Sequence, residues 1–554
     1  MWLKLTQFRA PVDIEESQLP GLVAQSLSLP AQAISGFRIL RKSLDARHHR
    51  RATSESSLSF VYTLAFEIDL SGVSCRQALN CHPNLSEYHP PQSASFFKIR
   101  PSTKLAEGPL PSSRTVIAGS GPAGLFTGLY LAAHGFKPII IERGDGLEGR
   151  VAAVDSFWKE GKLDPESNIQ FGIGGAGTFS DGKLTTRIRD PYIEEILAIM
   201  VRLGAPAEIL YWQRPHIGTD LLRNVVGNLQ DLIREYGGEI RFRNRLTDLI
   251  FERGRLRAIM INDQLALETD RLVLATGNGA RDLYDLLFKK GLKIEAKPFA
   301  VGVRIEHPQD LINRAQYGRW AGHPKLGPAE YQLAYHHPET GRGVYTFCMC
   351  PGGVVVGATS QIGGVVTNGM SYYARNSGIA NSAVVVTVGP KDFGNHSPLA
   401  GAGFQKTLEE RAFACGGGNY SAPAQSVGDF LRNQPTTHFS VFTSSYLPGS
   451  VGANLRDILP PDIGQALQAA IKYFGTRLKG FDWPDAVLTG VETRTSAPVR
   501  IIRNSRREAE GFPGIFPVGE GAGYAGGIIS SAVDGWKTAV EIVERVKSGV
   551  EHGA

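Results

Sequence analysis

The stretch TVIAGSGPAGLFTGLYLAAHGFKPIIIE (residues 115–142) constrains this chain more than any other. A β-branched run, Thr115-Val116-Ile117, ends at a full G-x-G-x-x-G spanning Gly119, Ser120, Gly121, Pro122, Ala123 and Gly124. An apolar helix follows through Leu125, Leu129 and Leu131, and a second strand (residues 138–141) delivers Glu142. Gly119 makes the tight turn, Gly121 lets backbone approach a pyrophosphate, and Gly124 lets helix pack on strand, with the helix N-terminus facing the phosphates. Glu142, 18 residues past Gly124, stands where ribose hydroxyls donate to an acid. A glycine turn alone proves little. With strand, helix, strand and acid in register, the segment reads as a dinucleotide site.

Which dinucleotide depends on the rest. The 554 residues exceed one hydrophobic core, so two or three domains are expected. Residues 1–108 read as a small N-terminal α/β domain of ferredoxin-like type: strand at WLKLTQFR, helix over 16–27, strands at 36–40, 58–69 and 95–100, then a Pro/Ser-rich linker over 101–113. A Rossmann-type domain spans 109–290 and resumes at 485–554, and a β-rich substrate domain is inserted at 291–484. The expected class is α/β, with the nucleotide-binding domain in two pieces. That interrupted order favours FAD over NAD.

GIFPVGEGAGYAGGI (residues 514–528) supplies the other end. A strand runs into Gly519-Glu520, and a glycine turn through Gly526 and Gly527 opens a helix at Ile528. Free N–H groups and the positive helix end suit the negative charge of a reduced flavin at its N1/O2 edge. In flavoproteins similar to glutathione reductase this position carries Gly-Asp, whose acid holds a ribityl hydroxyl; here it is Glu520. A second glycine loop, NIQFGIGGAGTFSDGKL (168–184), matches G-x-G-x-x-G but opens no helix. It reads as a loop beside the isoalloxazine through Gly174 and Gly175. Ala275-Thr276-Gly277 ends another strand close to the cofactor, and Arg143 and Arg150 lie in reach of adenosine or phosphate.

Candidates for chemistry are Lys183, His307 and Asn278, with Arg187 and Arg189 as possible anion contacts against plain surface charge. Cys348-Met349-Cys350 invites a redox-dithiol reading. The small ring such a pair closes favours buried strand cysteines instead. No histidine or cysteine spacing suits a metal. The basic run at residues 38–51 has one aromatic neighbour, Phe37, so nucleic acid is disfavoured as a partner. A net charge of +6 permits anionic ligands without demanding them. No apolar run reaches the length of a membrane span, and a cytoplasmic location is the expectation, an organellar one staying open.

The residues then match a family. SLDAR (43–47), GSGPAGLF, NIQFGIGGAGTFSDGKL, KPFAVGVRIEHP (297–308), CMCPGGVVV, TNGMSYYARNSGIANSAVVV (367–386) and FPVGEGAGYAGGI carry the likeness. The chain resembles FAD-dependent dehydrogenases of bacteria and plastids within the glutathione-reductase-like flavoprotein superfamily, a family without an assigned substrate. The resemblance implies FAD and hydride transfer between a small organic substrate and flavin N5. It also places Leu246 where such folds meet adenine. One departure stands out: the residues after Thr276-Gly277 are usually His-Ser and here are Asn278-Gly279. With one dinucleotide motif, NAD(P)H or another electron carrier is expected to dock transiently. A flavin monooxygenase, or a flavin-bearing factor binding RNA or protein through residues 1–108, are the alternatives.

Overall fold

The computed structural model describes residues 1–46, 58–68, 82–90, 114–394 and 397–548. The expected strand at 95–100, the linker at 101–113, the end of the basic run, and Cys75 and Cys81 lie outside them.

The chain opens with an antiparallel sheet of β1 (Trp2–Pro11), β2 (Ile34–Asp45), β3 (Ser59–Ile68) and β4 (Leu85–Glu87), in the order β2-β3-β1-β4. Alternation decides which face is buried: Leu3 and Leu5 of β1 and Phe60, Tyr62, Leu64 and Phe66 of β3 point inward, with Leu19 and Val23 of helix α1 (Leu19–Ser26) in the same core. Strand β2 is longer than its sequence suggests. Its basic side chains lie on aromatic faces, Arg38 over Trp2 and Lys42 over Phe60 and Trp212, and Lys42 also pairs with Glu16.

The fingerprint begins at β5 (Val116–Ala118), runs through α2 (Pro122–Ala133) to β6 (Ile139–Ile141), and passes α3 (Leu147–Glu160) and α4 (Gly218–Glu235) to β7 (Glu239–Arg241). An antiparallel layer at 246–252, 255–261 and 265–268 precedes β8 (Leu272–Leu274). The chain then leaves for a seven-stranded sheet whose centre is β9 (Phe299–Pro308), flanked by β10 (Ile379–Val388) and β11 (Val487–Glu492). It returns as β12 (Ile515–Pro517) and α5 (Ile528–Lys547), completing a parallel sheet of order β12-β8-β5-β6-β7. Residues of β5, β6, β8 and β12 are buried throughout, because helices α2, α4 and α5 cover one face and the antiparallel layer covers the other.

Two expectations shift. Strand β11 belongs to the seven-stranded sheet, so the second unit runs past the boundary expected at 484. That unit is also less purely β: helices at 400–415 and 461–477 pack on its sheet, since an apolar face this wide needs a second layer. No helix among the described residues is long and apolar enough to cross a membrane.

Helices α2 and α5 meet at a glycine. A Cβ on Gly535 would stand 2.1 Å from the Ala123 carbonyl and 2.7 Å from the Thr127 hydroxyl. Gly535→Ala is therefore expected to cost about 1–3 kcal/mol through forced separation of the helices. A lowered unfolding midpoint checks this, and an unchanged one contradicts it.

Candidate functional site

In the parallel sheet, β5 has β8 on one side and β6 on the other, so the chain reverses its direction of winding there and leaves a crevice at the strands' carboxyl ends. A cavity of about 1250 Å³ occupies that crevice and extends to the seven-stranded sheet. Its wall brings together Gly119, Ser120, Gly121, Pro122 and Ala123 of the fingerprint, then Glu142, Arg143 and Leu246 at one end. Gly175, Thr276, Gly277 and Asn278 line the cavity too. Gly519, Glu520, Gly526, Gly527 and Ile528 line the other end, with Lys183 on the far wall.

Glu142 is already fully engaged. One carboxylate oxygen accepts from the Ser120 amide (2.9 Å) and hydroxyl (2.7 Å), the other from the amides of Gly144 (3.0 Å) and Gly172 (2.9 Å). Each oxygen thus has two donors. A ribose hydroxyl reaches this acid only if the Ser120 hydroxyl, the one rotatable donor, turns aside. Arg143 also lines the wall, stacked on Phe171 and paired with Glu166 and Asp282.

Four expected residues are elsewhere. Arg150 is fully buried, and its guanidinium donates to the carbonyls of Asn168, Ile169, Gly172 and Ile173. It braces the 168–173 loop from behind and does not line the cavity. Gly174 faces away: its amide donates to the Ser120 carbonyl, and a Cβ there would strike the Thr178 hydroxyl at 2.1 Å. His307 sits in the core of the second unit, bonded through Nε2 to the Phe481 carbonyl, and burial pushes it down to about 4. Neutral and closed off, it is no acid or base for the cavity. Gly124 does not line the cavity either; its place is the helix–strand contact.

Lys183 is in the wall, but its ammonium is committed to Asp181 (2.8 Å) and to the Met349 carbonyl. Asp181 also pairs with Arg375. The Asp181 carboxylate holds Lys183 well above the usual lysine range, so it is a fixed charge rather than a base.

Glu520 is half-buried at the other end, where Asn278 Nδ2 donates to it at 2.9 Å. Asn278 therefore orients the acid instead of acting alone. Burial raises the Glu520 carboxyl to about 7, against the Gly527 amide and Lys297, which pull it down. The turn before it is pinned by Asp534, which accepts from the Gly519 amide and pairs with Arg503 and Arg507.

Sequence reasoning missed a cation pair. Lys297 and Arg500 line the cavity near Glu520, and neither has a carboxylate within salt-bridge distance among the described residues. They meet because residues 294–296 and 499–501 form an antiparallel ladder, a pairing of distant segments that leaves no local signal. Burial and Arg500 together lower the Lys297 ammonium.

An extended FAD fits these residues. Where a Cβ on Gly277, Gly526 or Gly527 would project, nothing stands within 4 Å, so backbone is open to close approach by a flat ligand. The fingerprint amides and the start of α2 suit a diphosphate.

An uncharacterized protein of Clostridium beijerinckii is 44% identical over 546 residues, covering 98% of this chain and 99% of its own. Residues 298–495 match the family described as FAD-dependent protein, C-terminal domain-like. The chain belongs to one family with the Clostridium beijerinckii protein, and its residues 298–495 carry that FAD-dependent C-terminal domain. Residues 3–52 match a domain of unknown function. Among solved structures, a geranylgeranyl bacteriochlorophyll reductase-like protein of Thermoplasma acidophilum is 12% identical with TM-score 0.33 over 79% of each chain. A glycine oxidase of Bacillus cereus is 9% identical with TM-score 0.36 over 80% of this chain and 96% of its own. Likeness that distant says nothing of what this chain acts on.

The raised Glu520 carboxyl has a consequence for stability. The folded state holds this proton more tightly than the unfolded chain, so its contribution falls as pH rises from the ordinary carboxyl range through about 7. Glu520→Gln removes that slope. Between about pH 5 and about pH 8 the native protein should lose on the order of 2–3 kcal/mol relative to the variant. Unfolding midpoints of both proteins at the two pH values check this; a constant difference contradicts it.

Proposed function

We propose that this chain is an FAD-dependent oxidoreductase of the glutathione-reductase-like superfamily that moves a hydride between a small organic molecule and flavin N5. The observation that carries this reading is one cavity running from the Glu142 end, past the fingerprint amides, to Glu520 and the start of α5. FAD would supply a two-electron centre that accepts and releases hydride.

The residues then divide the work. Amides at the start of α2 hold the diphosphate, and Glu142 keeps the glycine loops in register around it. Glu520, oriented by Asn278, meets a ribityl hydroxyl, as donor when protonated and as acceptor when not. The α5 N-terminus stabilises negative charge on the pyrimidine edge. The substrate lies against the seven-stranded sheet, where Tyr331, Tyr345 and Phe347 offer apolar surface. Lys297 and Arg500 would meet its anionic groups. NAD(P)H or another carrier docks transiently from outside.

Gly526 gives a clean test, because its φ lies outside the left-handed region and a Cβ there meets nothing within 4 Å. Gly526→Val should keep its unfolding midpoint yet bind FAD about tenfold or more weakly, because the valine methyls take the space of the ring. Equal FAD affinity in equilibrium titration would remove the flavin from the α5 end.

A further inference from the structure

Spacing alone disfavours a redox pair at Cys348 and Cys350. A regular strand holds residues two apart at about 6.6 Å between Cα atoms, near the far edge of the disulfide range. This strand is not regular. Residues 343–350 pair with β10 as far as Phe347 and resume at Cys350, so Cys348 and Met349 bulge from the ladder. Cys348 has φ +46°, in the left-handed region. Its carbonyl accepts from Arg304 Nη1 at 3.3 Å and from the Cys350 thiol at 3.3 Å, while the Met349 carbonyl accepts from Lys183. Two cations thus hold the bulge folded, and Cys350 curls back over Cys348. Bulges shorten a strand locally and re-aim a side chain. Here Cys348 is half-buried and lines the cavity, and Cys350 is buried behind it.

We propose that Cys348 and Cys350 form a redox-active dithiol that exchanges an electron pair with the flavin, Cys348 facing the cavity and Cys350 closing the disulfide. This rests on the FAD reading above. Oxidation breaks two S–H bonds, forms one S–S bond, and releases two electrons and two protons. Oxidised flavin takes all of them to become dihydroflavin, and the reverse step regenerates the dithiol.

The surroundings make the two sulfurs unequal, as exchange requires. The Cys350 side chain beside it lowers the Cys348 thiol and Lys183 and Arg304 lower it further, while burial and Asp181 oppose them. Cys350 is pushed up by its neighbour and by burial. Cys348 in turn disfavours the charged form of Glu520, which lines the same cavity.

The tryptic peptide Gly343–Arg375 holds both of these cysteines and no other. Native protein treated with diamide and then iodoacetamide should yield this peptide unalkylated and about 2 Da lighter, with dithiothreitol restoring two alkylation sites. Anaerobic dithionite titration of the oxidised FAD-loaded protein should consume four electrons per chain, against two for Cys348→Ser. Two alkylated cysteines after oxidant, with two-electron uptake by a flavin-containing protein, overturn the dithiol and leave the FAD reading standing. A 2 Da loss in a protein that binds no FAD overturns the exchange with flavin and the FAD reading together.

Discussion

The buried carboxylate of Glu142 is the point on which the cavity depends. Its donors come from three separate segments: the fingerprint turn at Ser120, the strand-end loop at Gly144 and the glycine loop at Gly172. Each amide would be an unsatisfied buried donor without it, at about 1–3 kcal/mol apiece. Behind the loop, Arg150 collects four carbonyls with one guanidinium. Acid and base together turn a glycine-rich segment, otherwise free to take many conformations, into a fixed wall.

A second set of buried charges fixes how the two large units meet. Glu409, from the helix at 400–415, pairs with Arg281 of the parallel-sheet unit and with Arg494 just beyond β11, and these arginines hold it down to about 2. Arg304 pairs with Glu492 across the central strands and also supports the Cys348 bulge. Removing one partner would strand a buried charge, which costs more than the intact pair stabilises. The Arg281–Glu409–Arg494 network therefore acts as a geometric constraint between the parallel-sheet unit and the second unit, and the Arg304–Glu492 pair as one within the seven-stranded sheet.

Local signals in the sequence located the elements of the fingerprint and of the Glu520 turn well. The fingerprint strand, helix and second strand fall at 116–118, 122–133 and 139–141, and the Glu520 turn leads into α5 at Ile528. These features are short-range: one strand, one turn and one helix state them in consecutive residues. What stayed hidden is long-range. Arg150 has the placing of a phosphate arginine, and only the folded loop shows that carbonyls consume it. His307 has the chemistry of a base, and only the core packing shows it sealed. Lys297 and Arg500 meet through a ladder between segments far apart in the chain, and the bulge at Cys348 depends on cations supplied by Lys183 and Arg304.

The central claim is that this cavity holds FAD in extended form, and the flavin itself reports on it. Purified protein incubated with excess FAD and then freed of unbound ligand should show the flavin absorption bands, with one FAD per chain released on acid denaturation. A colourless protein that retains no FAD at saturating concentration would contradict the account.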